Sequence, residues 1–175
     1  MELTTSRLTL RPVDMTYLHS THEYASDLEN TRFMMFLPYE SLEETARIIQ
    51  EAQDEWQKSE PAIYEFVILL DGVHIGGITL YMQEDRSVAE LAWLLNKNYW
   101  RKGYISEAAR AIVEFGWNTL GLRQIFAACD SENIASRRAI EKLGMQFVDE
   151  GTRKNRSMGD EIRRELVYEL LRPQA

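Results

Sequence analysis

The stretch Tyr99-Trp100-Arg101-Lys102-Gly103-Tyr104-Ile105-Ser106-Glu107-Ala108 joins a strand-like run, 88–95, to a helix-like run that ends near residue 120. The first amides of a helix have no acceptors within the helix, and the helix dipole adds partial positive charge there. The glycine of the stretch lets an anion approach the backbone, and the two basic residues before it attract one. The stretch therefore predicts a phosphate or pyrophosphate site. The alternative is a surface turn with a capping glycine and two solvated cations.

Length and composition indicate one domain. With 175 residues the chain can bury a full core, and we expect a single domain over 1–172 with a short tail, 173–175. The single cysteine, Cys129, excludes a disulfide within the chain. No apolar run is long enough for a membrane span, and the N-terminus has no apolar signal core. We therefore expect a cytoplasmic protein that does not bind membranes.

The charge balance separates classes of partner. A net charge of −8 and a pI near 5.0 argue against binding to nucleic acid, which usually requires a basic face. A negative field attracts cationic molecules instead, such as amines or basic peptides. An anionic ligand would need a local basic site, and the stretch at 99–108 is the candidate.

Hydrophobic periodicity and turn residues divide the chain into alternating elements. Asp71-Gly72 is a strong hairpin signal, and Gly76-Gly77 in the following strand predicts a bulge or a close neighbour. A capping box at Ser41 opens a helix that ends before Pro61. We predict strands at 8–13, 64–70, 73–81, 88–95, 124–129, 145–150 and 162–171, and further helices at 14–28, 106–120 and 135–143.

This order of elements predicts an α/β fold with a mixed, mostly antiparallel sheet of about seven strands flanked by helices. The strand at 88–95, the helix at 106–120 and the strand at 124–129 should form a central βαβ unit. Its two strands should be parallel and its crossover right-handed.

Several segments, in the same order over nearly the whole chain, resemble the GNAT superfamily of acetyl-coenzyme A-dependent N-acetyltransferases, and within it the RimJ/RimL branch. They are Thr5-Ser6-Arg7-Leu8-Thr9-Leu10-Arg11-Pro12, then Ala89-Glu90-Leu91-Ala92-Trp93 with the stretch at 99–108, and then Ser131-Glu132-Asn133-Ile134-Ala135-Ser136-Arg137 with Lys142-Leu143-Gly144-Met145. Two positions depart from the general GNAT pattern. Ile105 replaces a small residue of the phosphate motif, and Ile140 stands where many GNAT enzymes carry an acid tyrosine.

The resemblance implies a GNAT-type fold and direct transfer of an acetyl group from acetyl-CoA to an amine. The acceptor would be a protein or peptide N-terminus or a small-molecule amine, and the resemblance leaves monomer and homodimer open. It implies contacts with the donor through the backbone of Leu94, Leu95 and Asn96, and through Arg101, Lys102, Gly103, Tyr104, Ile105, Ser106, Asn133, Ser136 and Arg137.

Two residues are the candidates for catalysis. The amine must be neutral to attack, although its solution pKa is about 8 for an α-amine and about 10 for a lysine. Glu90 is the first choice for binding or deprotonating it, because this carboxylate shares a strand face with apolar residues and burial would raise its pKa. A water relay is the alternative base. The resemblance implies Ser136 as the acid that protonates the leaving thiolate.

Structural roles compete with these functional ones. Glu90 could be an ion-pair partner or a solvated strand residue, and Asn133 and Ser136 are preferred helix caps. At the level of the whole protein, the alternative to an enzyme is a catalytically weak acetyl-CoA-binding sensor or scaffold. A nucleotide-binding domain is excluded, since neither Gly-x-Gly-x-x-Gly nor Gly-x-x-x-x-Gly-Lys-Ser/Thr occurs. The three histidines and Cys129 show no metal-ligand spacing, so no metal is expected.

Overall fold

A central sheet carries helices on both faces in the computed structural model, which describes residues 1–159 and 161–173. Its strands are β1 (Leu3–Thr4), β2 (Leu8–Pro12), β3 (Ile63–Leu70), β4 (Val73–Met82), β5 (Val88–Leu95), β6 (Gln124–Asp130), β7 (Gln146–Asn155) and β8 (Glu161–Leu171). Its helices are α1 (Leu18–Ala25), α2 (Leu42–Glu55), α3 (Tyr104–Asn118) and α4 (Ile134–Lys142). Of the predicted C-terminal tail, residues 174 and 175 lie outside the described residues.

The sheet order is β1-β2-β3-β4-β5-β6-β8-β7, and every neighbouring pair is antiparallel except β5 and β6. This confirms the mixed, mostly antiparallel sheet and the parallel βαβ unit that α3 connects. The eighth strand is β1, a two-residue edge strand on β2 that periodicity could not reveal because it is too short to show an alternation.

The parallel contact between β5 and β6 is short. Only residues 88–90 of β5 pair with residues 124–126 of β6. Beyond Glu90, β5 continues beside β4 as far as Leu95, whereas β6 continues beside β8 as far as Asp130. The two central strands therefore separate, and a gap opens in the middle of the sheet.

The two faces of the sheet bury different clusters. On one face, α3 and α4 cover the main core, in which Leu80, Leu91, Ile112, Ile125 and Ile140 are almost fully buried. On the other face α2 packs against β3, burying a smaller cluster of Val13, Ile49, Ala52, Val67 and Leu69. Tyr24, Ala25 and Leu37 form a third cluster beside it.

The predicted helix at 14–28 is interrupted in the structure. Asp14 accepts a hydrogen bond from the amide of Thr16 and begins a single 3-10 turn, Met15–Tyr17, before α1 starts. After α1 the chain turns, because the carboxylate of Asp27 accepts a hydrogen bond from the amide of Asn30. Short polar side chains of this kind offer the backbone an alternative to continuing a helix.

Other boundaries differ by a few residues. The helix α3 begins at Tyr104, two residues before the prediction, because Gly103 adopts φ +82° and turns the chain directly into it. Strand β7 runs to Asn155 rather than 150. Most of its side chains are exposed, so the alternation of apolar and polar residues that marks a half-buried strand is missing.

The double glycine in β4 marks both a bulge and a close approach, as predicted. The register between β3 and β4 shifts between Ile68 and Leu69, opposite this segment. A Cβ atom on Gly76 would lie 2.5 Å from the carbonyl oxygen of Leu94, closer than real Cβ atoms approach. Gly76 therefore lets β4 lie tightly against the end of β5.

A carboxylate at the start of α3 binds the N-terminal segment. Glu107 accepts hydrogen bonds from the hydroxyls of Thr5 (2.6 Å) and Ser6 (2.9 Å), and from the backbone amide (2.9 Å) and Nε (2.7 Å) of Arg7. The Arg7 guanidinium also lies over the ring of Tyr104. Burial raises the pKa of Glu107, but these hydrogen bonds outweigh it and lower the pKa to about 2.

We expect Glu107→Gln to reduce the free energy of unfolding by about 2 kcal/mol at pH 7, since a charged acceptor of several hydrogen bonds becomes neutral. A carboxylate with a lowered native pKa contributes stability above its unfolded pKa near 4.5, and this contribution is lost as the pH falls towards about 2. The difference between wild type and variant in urea titrations should therefore shrink between pH 7 and pH 3.

The matched control is Glu114→Gln, which changes an exposed carboxylate on the same helix. It should leave the unfolding free energy within about 0.5 kcal/mol of wild type. An equal loss in both variants, or a loss in Glu107→Gln that does not depend on pH, would contradict this account of the N-terminal contact.

Candidate functional site

A groove of about 870 Å³ opens where β5 leaves β6. Its walls are the end of β5, the starts of α3 and α4, and the segment after α1. The lining residues that concern the predicted site are Leu94, Leu95, Arg101, Gly103, Tyr104, Ile105, Ser106, Asn133 and Ser136. Most of the predicted donor-binding residues are thus brought together, from three separate parts of the sequence.

The N-terminus of α3 faces this groove with unused amides. The first hydrogen bond within the helix runs from the amide of Glu107 to the carbonyl of Gly103. The three residues between them, Tyr104, Ile105 and Ser106, find no acceptor for their amides among the described residues. Such a terminus attracts an anion through its amides and dipole. The bulky Ile105 is accommodated because its side chain packs against the main core.

The two basic residues of the turn behave differently. Arg101 has φ +63°, in the left-handed region, and lines the groove. Lys102 does not line it, contrary to the prediction. Its ammonium lies 3.3 Å from the carbonyl oxygen of Asn98 and over the ring of Tyr99. Its carbonyl accepts a hydrogen bond from Arg7, so Lys102 contributes to the shape of the turn through its backbone.

Helix α4 presents a different basic residue from the one predicted. Arg137 lies outside the groove lining, and its guanidinium lies 3.7 Å from Glu141 across one helical turn. Arg138 and Lys142 line the groove instead. They are four residues apart and so share one helix face, whereas Arg137 lies about 100° away from Arg138 around the helix. The motif residue Arg137 therefore lies one position before the residue that begins the basic face of the groove, Arg138.

Asn133 and Ser136 lie together at the start of α4. The side-chain oxygen of Asn133 accepts a hydrogen bond from the amide of Ser136 at 3.1 Å, so Asn133 is the helix cap. Both residues line the groove. No described residue makes a hydrogen bond to the Ser136 hydroxyl, which therefore remains available to a ligand.

The backbone at the end of β5 points in alternating directions. The amide of Asn96 donates to the carbonyl of Ile75 on the β4 side, and the carbonyl of Asn96 accepts from Tyr99. Hydrogen-bonded pairs alternate along an antiparallel ladder, so Leu94 also faces β4, while Trp93 and Leu95 face the gap. Of the predicted backbone contacts, the structure thus favours Leu95, and it adds Trp93.

Polar side chains that the sequence analysis did not identify hold this strand end in place. The side-chain amide of Asn30 donates to the carbonyl of Leu95 at 3.1 Å and accepts from the amide of Lys97. The indole of Trp100 donates to the same carbonyl at 2.8 Å. Asn30 is buried and lies in a segment without regular secondary structure, so no sequence pattern links it to Leu95. Its role is visible only from the contact with Leu95 in the folded protein.

Glu90 lies on the face of the sheet opposite α3, as its predicted strand position required. Its carboxyl is partly buried. Burial raises the pKa of Glu90, nearby Glu165 raises it further, and nearby Arg153 opposes the shift. Arg153 pairs with Glu165 at 3.2 Å and donates to the carbonyl of Phe33 at 2.8 Å. The predicted direction of the shift is confirmed, and β7 and β8 supply its charged neighbours.

A second carboxylate on this face was missed by the sequence analysis. Glu65 on β3 shares the sheet face of Glu90, and burial raises its pKa to about 7. One sequence feature could have pointed to it, because Glu65 is the only charged residue in the otherwise uncharged strand Ile63–Leu70. Nothing in the sequence shows what surrounds it.

The described residues contain neither a metal-binding cluster nor a helix that could span a membrane. No group of three or more His, Cys, Asp or Glu side chains within 1–159 and 161–173 is arranged to hold a metal ion. In the same part of the chain, no helix has the length and apolar character needed to cross a membrane.

Comparisons with known proteins agree with this geometry. A family model described as "Acetyltransferase (GNAT) domain" matches residues 7–146. The "Uncharacterized N-acetyltransferase YnaD" of Bacillus subtilis (strain 168) is 31% identical over 146 residues, covering 83% of each chain.

Solved structures share the fold. An acetyltransferase (GNAT family) from Bacillus anthracis has a TM-score of 0.81 and 27% identity, covering 98% of both chains. Spermidine N-acetyltransferase from Vibrio cholerae, solved in complex with CoA and spermine, has a TM-score of 0.81 and 18% identity, covering 95% of this chain and 96% of that one. The family match over most of the chain, on a sheet that opens between β5 and β6, shows that this protein belongs to the GNAT acetyltransferase family.

Proposed function

We propose that this protein is an N-acetyltransferase of the RimJ/RimL-like branch, which transfers the acetyl group of acetyl-CoA directly to an amine. The acceptor is a protein or peptide N-terminus or a small-molecule amine. The observation that carries the proposal is the groove between the separated strands, which ends at the free amides of α3. The similarity of 5–12, 99–108 and 131–145 to that branch supports the finer assignment.

The groove fits a donor with a phosphate end and an extended arm. The α3 amides and Arg101 offer an anion site, and Arg138 and Lys142 add positive charge across the groove. The backbone of Trp93 and the amide of Leu95 face the gap and can hydrogen-bond an amide-containing arm as a neighbouring strand would, whereas the carbonyl of Leu95 already accepts from Asn30 and Trp100. A volume of about 870 Å³ is ample for such a ligand.

Different residues of the groove and of the opposite sheet face carry out the separate steps of the transfer. Acetyl-CoA, when bound, supplies the acetyl group as a thioester. Backbone amides at the end of β5 can stabilise negative charge on the carbonyl oxygen. Glu90, with its raised pKa, offers a carboxylate for the incoming amine, directly or through water. The free hydroxyl of Ser136 can donate a proton to the departing sulfur.

The proposal extends to partners and location. The acceptor is cationic, because the chain carries a net charge of −8 and Glu90 and Glu165 lie on the acceptor face. The same charge argues against nucleic acid as a partner. A single buried free cysteine is compatible with the reducing cytoplasm. Both a monomer and a homodimer remain consistent with the proposal.

The competing function is a sensor or scaffold that binds acetyl-CoA without turnover. This alternative is supported by the departures from the general GNAT motif at Ile105 and Ile140. Ile105 is accommodated by packing, and Ile140 is 1% exposed in the main core. Neither departure blocks the groove, so the enzyme is the better supported reading.

The test is the release of free thiol from acetyl-CoA over a panel of N-terminal peptides, alkylamines and aminoacyl compounds. An enzyme should release thiol in proportion to acetylated amine detected by mass spectrometry. Binding of acetyl-CoA in a calorimeter, with no turnover on any amine, would instead establish the sensor or scaffold.

Arg138→Ala should weaken binding of CoA about fivefold to tenfold, since one cation is removed from the groove wall. The matched variant Arg137→Ala removes the same charge one residue away, on a face outside the groove. Its Kd for CoA, measured by calorimetry, should stay within about twofold of wild type. The reverse order of the two effects would restore the original assignment to Arg137.

Ser136→Ala should lower kcat at least about tenfold, as expected for the loss of a proton donor, while the Kd for acetyl-CoA changes little. Helix α4 should survive, because the cap bond uses the backbone amide of residue 136 and not its hydroxyl. Full activity in this variant would remove Ser136 from the mechanism.

A further inference from the structure

Glu65, like Glu90, lacks a hydrogen-bond or ion-pair partner among the described residues, unlike several other enclosed acids. Asp130, Glu107 and Glu165 each accept a hydrogen bond from an arginine. Within the part of the chain that the structure describes, no side chain or amide donates to the carboxylate of Glu65, and no cation pairs with it. Glu65 is half-buried, and a carboxylate without a protein donor is open to a ligand that can donate to it.

Three tyrosines on three different elements lie near enough to this carboxylate to feel its charge. They are Tyr24 on α1, Tyr39 in the segment before α2, and Tyr81 on β4. Burial raises the pKa of all three hydroxyls, and the nearby charge of Glu65 raises it further in each case. The rings therefore stay neutral at physiological pH. Neutral aromatic rings around a carboxylate are a suitable environment for an ammonium group.

Gly77 leaves space beside Glu65 and Tyr24. A Cβ atom on Gly77 would lie 3.6 Å from the Tyr24 hydroxyl and 3.8 Å from Oε1 of Glu65, so both polar groups border the place where a side chain is missing. Gly77 pairs directly with Leu94. Leu94 lines the donor groove and also packs against the Tyr24 cluster, so the space beside Glu65 adjoins the groove.

Glu65 is also nearer to the end of β5 than Glu90 is. Its Oε1 lies beside the strand partner of Leu94, whereas Glu90 precedes Leu94 by four residues, which is about 13 Å along a strand. The backbone groups that face the gap lie at this end of β5. An amine bound at Glu65 would therefore approach the groove at the place where those backbone groups are available.

We propose that Glu65 is the carboxylate that binds the acceptor's ammonium group and takes its proton, in the space beside Gly77 that the Tyr24 hydroxyl also borders. The inference rests on the proposed acetyltransferase function and assigns the acceptor's binding site to a second carboxylate. The proton passes from the ammonium nitrogen to Oε of Glu65, which leaves a neutral amine and a neutral carboxyl.

The surroundings define the class of acceptor. Glu90 and Glu165 lie on the same face, and Arg153, the cation among them, is already paired with Glu165. A carboxylate next to the reacting nitrogen would be repelled by these groups. The pocket is therefore suited to an unhindered primary alkylamine without an adjacent carboxylate.

Other titrating groups around Glu65 do not obscure its ionisation. The three tyrosines are neutral, and His74, which hydrogen-bonds to Tyr24, has its pKa lowered to about 4 by burial and is neutral as well. On α2, the charge of Glu44 raises the pKa of Tyr39 and the charge of Arg47 lowers it. Glu44 is itself paired with Arg156. The charge of Glu90 also raises the pKa of Tyr81.

The test compares binding of n-butylamine to the CoA-saturated protein by NMR titration, with n-butanol and 2-aminobutanoate as ligand controls. Wild type should bind n-butylamine at least tenfold more tightly than either control. Glu65→Gln should lose at least tenfold in that affinity, while its Kd for CoA and its melting temperature stay close to wild type. Glu65→Asp should recover part of the affinity, and Glu84→Gln, an exposed acid on a turn, should behave as wild type.

Gly77→Ala provides a second test that keeps the carboxylate. Its methyl group would make ordinary contacts with the surrounding atoms, so the fold should be retained, but it would occupy the space beside Glu65. We expect n-butylamine binding to weaken at least threefold. In an active enzyme, kcat/KM for an alkylamine should rise with pH and level off above the pKa of Glu65, about 7, in wild type, whereas in Glu65→Gln it should keep rising towards the amine's own pKa of about 10.

The outcomes separate the two proposals. Equal binding of n-butylamine to wild type and Glu65→Gln overturns the role of Glu65, even if the protein is an active acetyltransferase. Binding that depends on Glu65, without thiol release from acetyl-CoA on any amine, supports the ammonium site and refutes the proposed enzyme. Retained binding together with loss of turnover in Glu90→Gln alone would assign the base to Glu90.

Discussion

The separation of β5 from β6 is the constraint on which the rest of the site depends. The two strands share only residues 88–90 and 124–126, and each then follows a different neighbour. A parallel pair cannot separate without taking backbone groups out of its ladder. Those of Trp93 and Leu95 face the opening, where Asn30 and Trp100 donate to the carbonyl of Leu95. Because α3 must connect the end of β5 to the start of β6, its free N-terminal amides lie at the same opening.

Buried polar contacts keep the two strands apart. On the β5 side, Gly76 allows β4 to come close, while Asn30 and Trp100 both donate to the carbonyl of Leu95. On the β6 side, the fully buried Asp130 accepts from Arg163 on β8 and Asn155 on β7. Removing one partner of such a buried contact is costly, so each strand end is held firmly to its own side.

The sequence predicted the elements better than the contacts among them. Periodicity and glycine positions identified seven strands and the βαβ unit, because half-buried strands and capped helices have local signatures. Motif resemblance identified most of the groove lining. It named Arg137, whereas the groove lining contains Arg138, one residue further around the helix. It did not point to Asn30 or Glu65, because these residues meet their neighbours across long sequence separations, and no local pattern encodes which side chains a distant strand will meet.

The sheet also divides charge in a way that net charge alone does not reveal. Arg101, Arg138 and Lys142 line the groove at the starts of α3 and α4, whereas Glu65 and Glu90 lie on the face covered by α1 and α2. An anionic donor and a cationic acceptor would each be attracted to a different side of one gap. They would therefore not compete for the same surface, and they would meet only where the strands separate. An acidic protein can thus hold an anionic ligand, because Arg101, Arg138 and Lys142 provide local positive charge on one side of that gap.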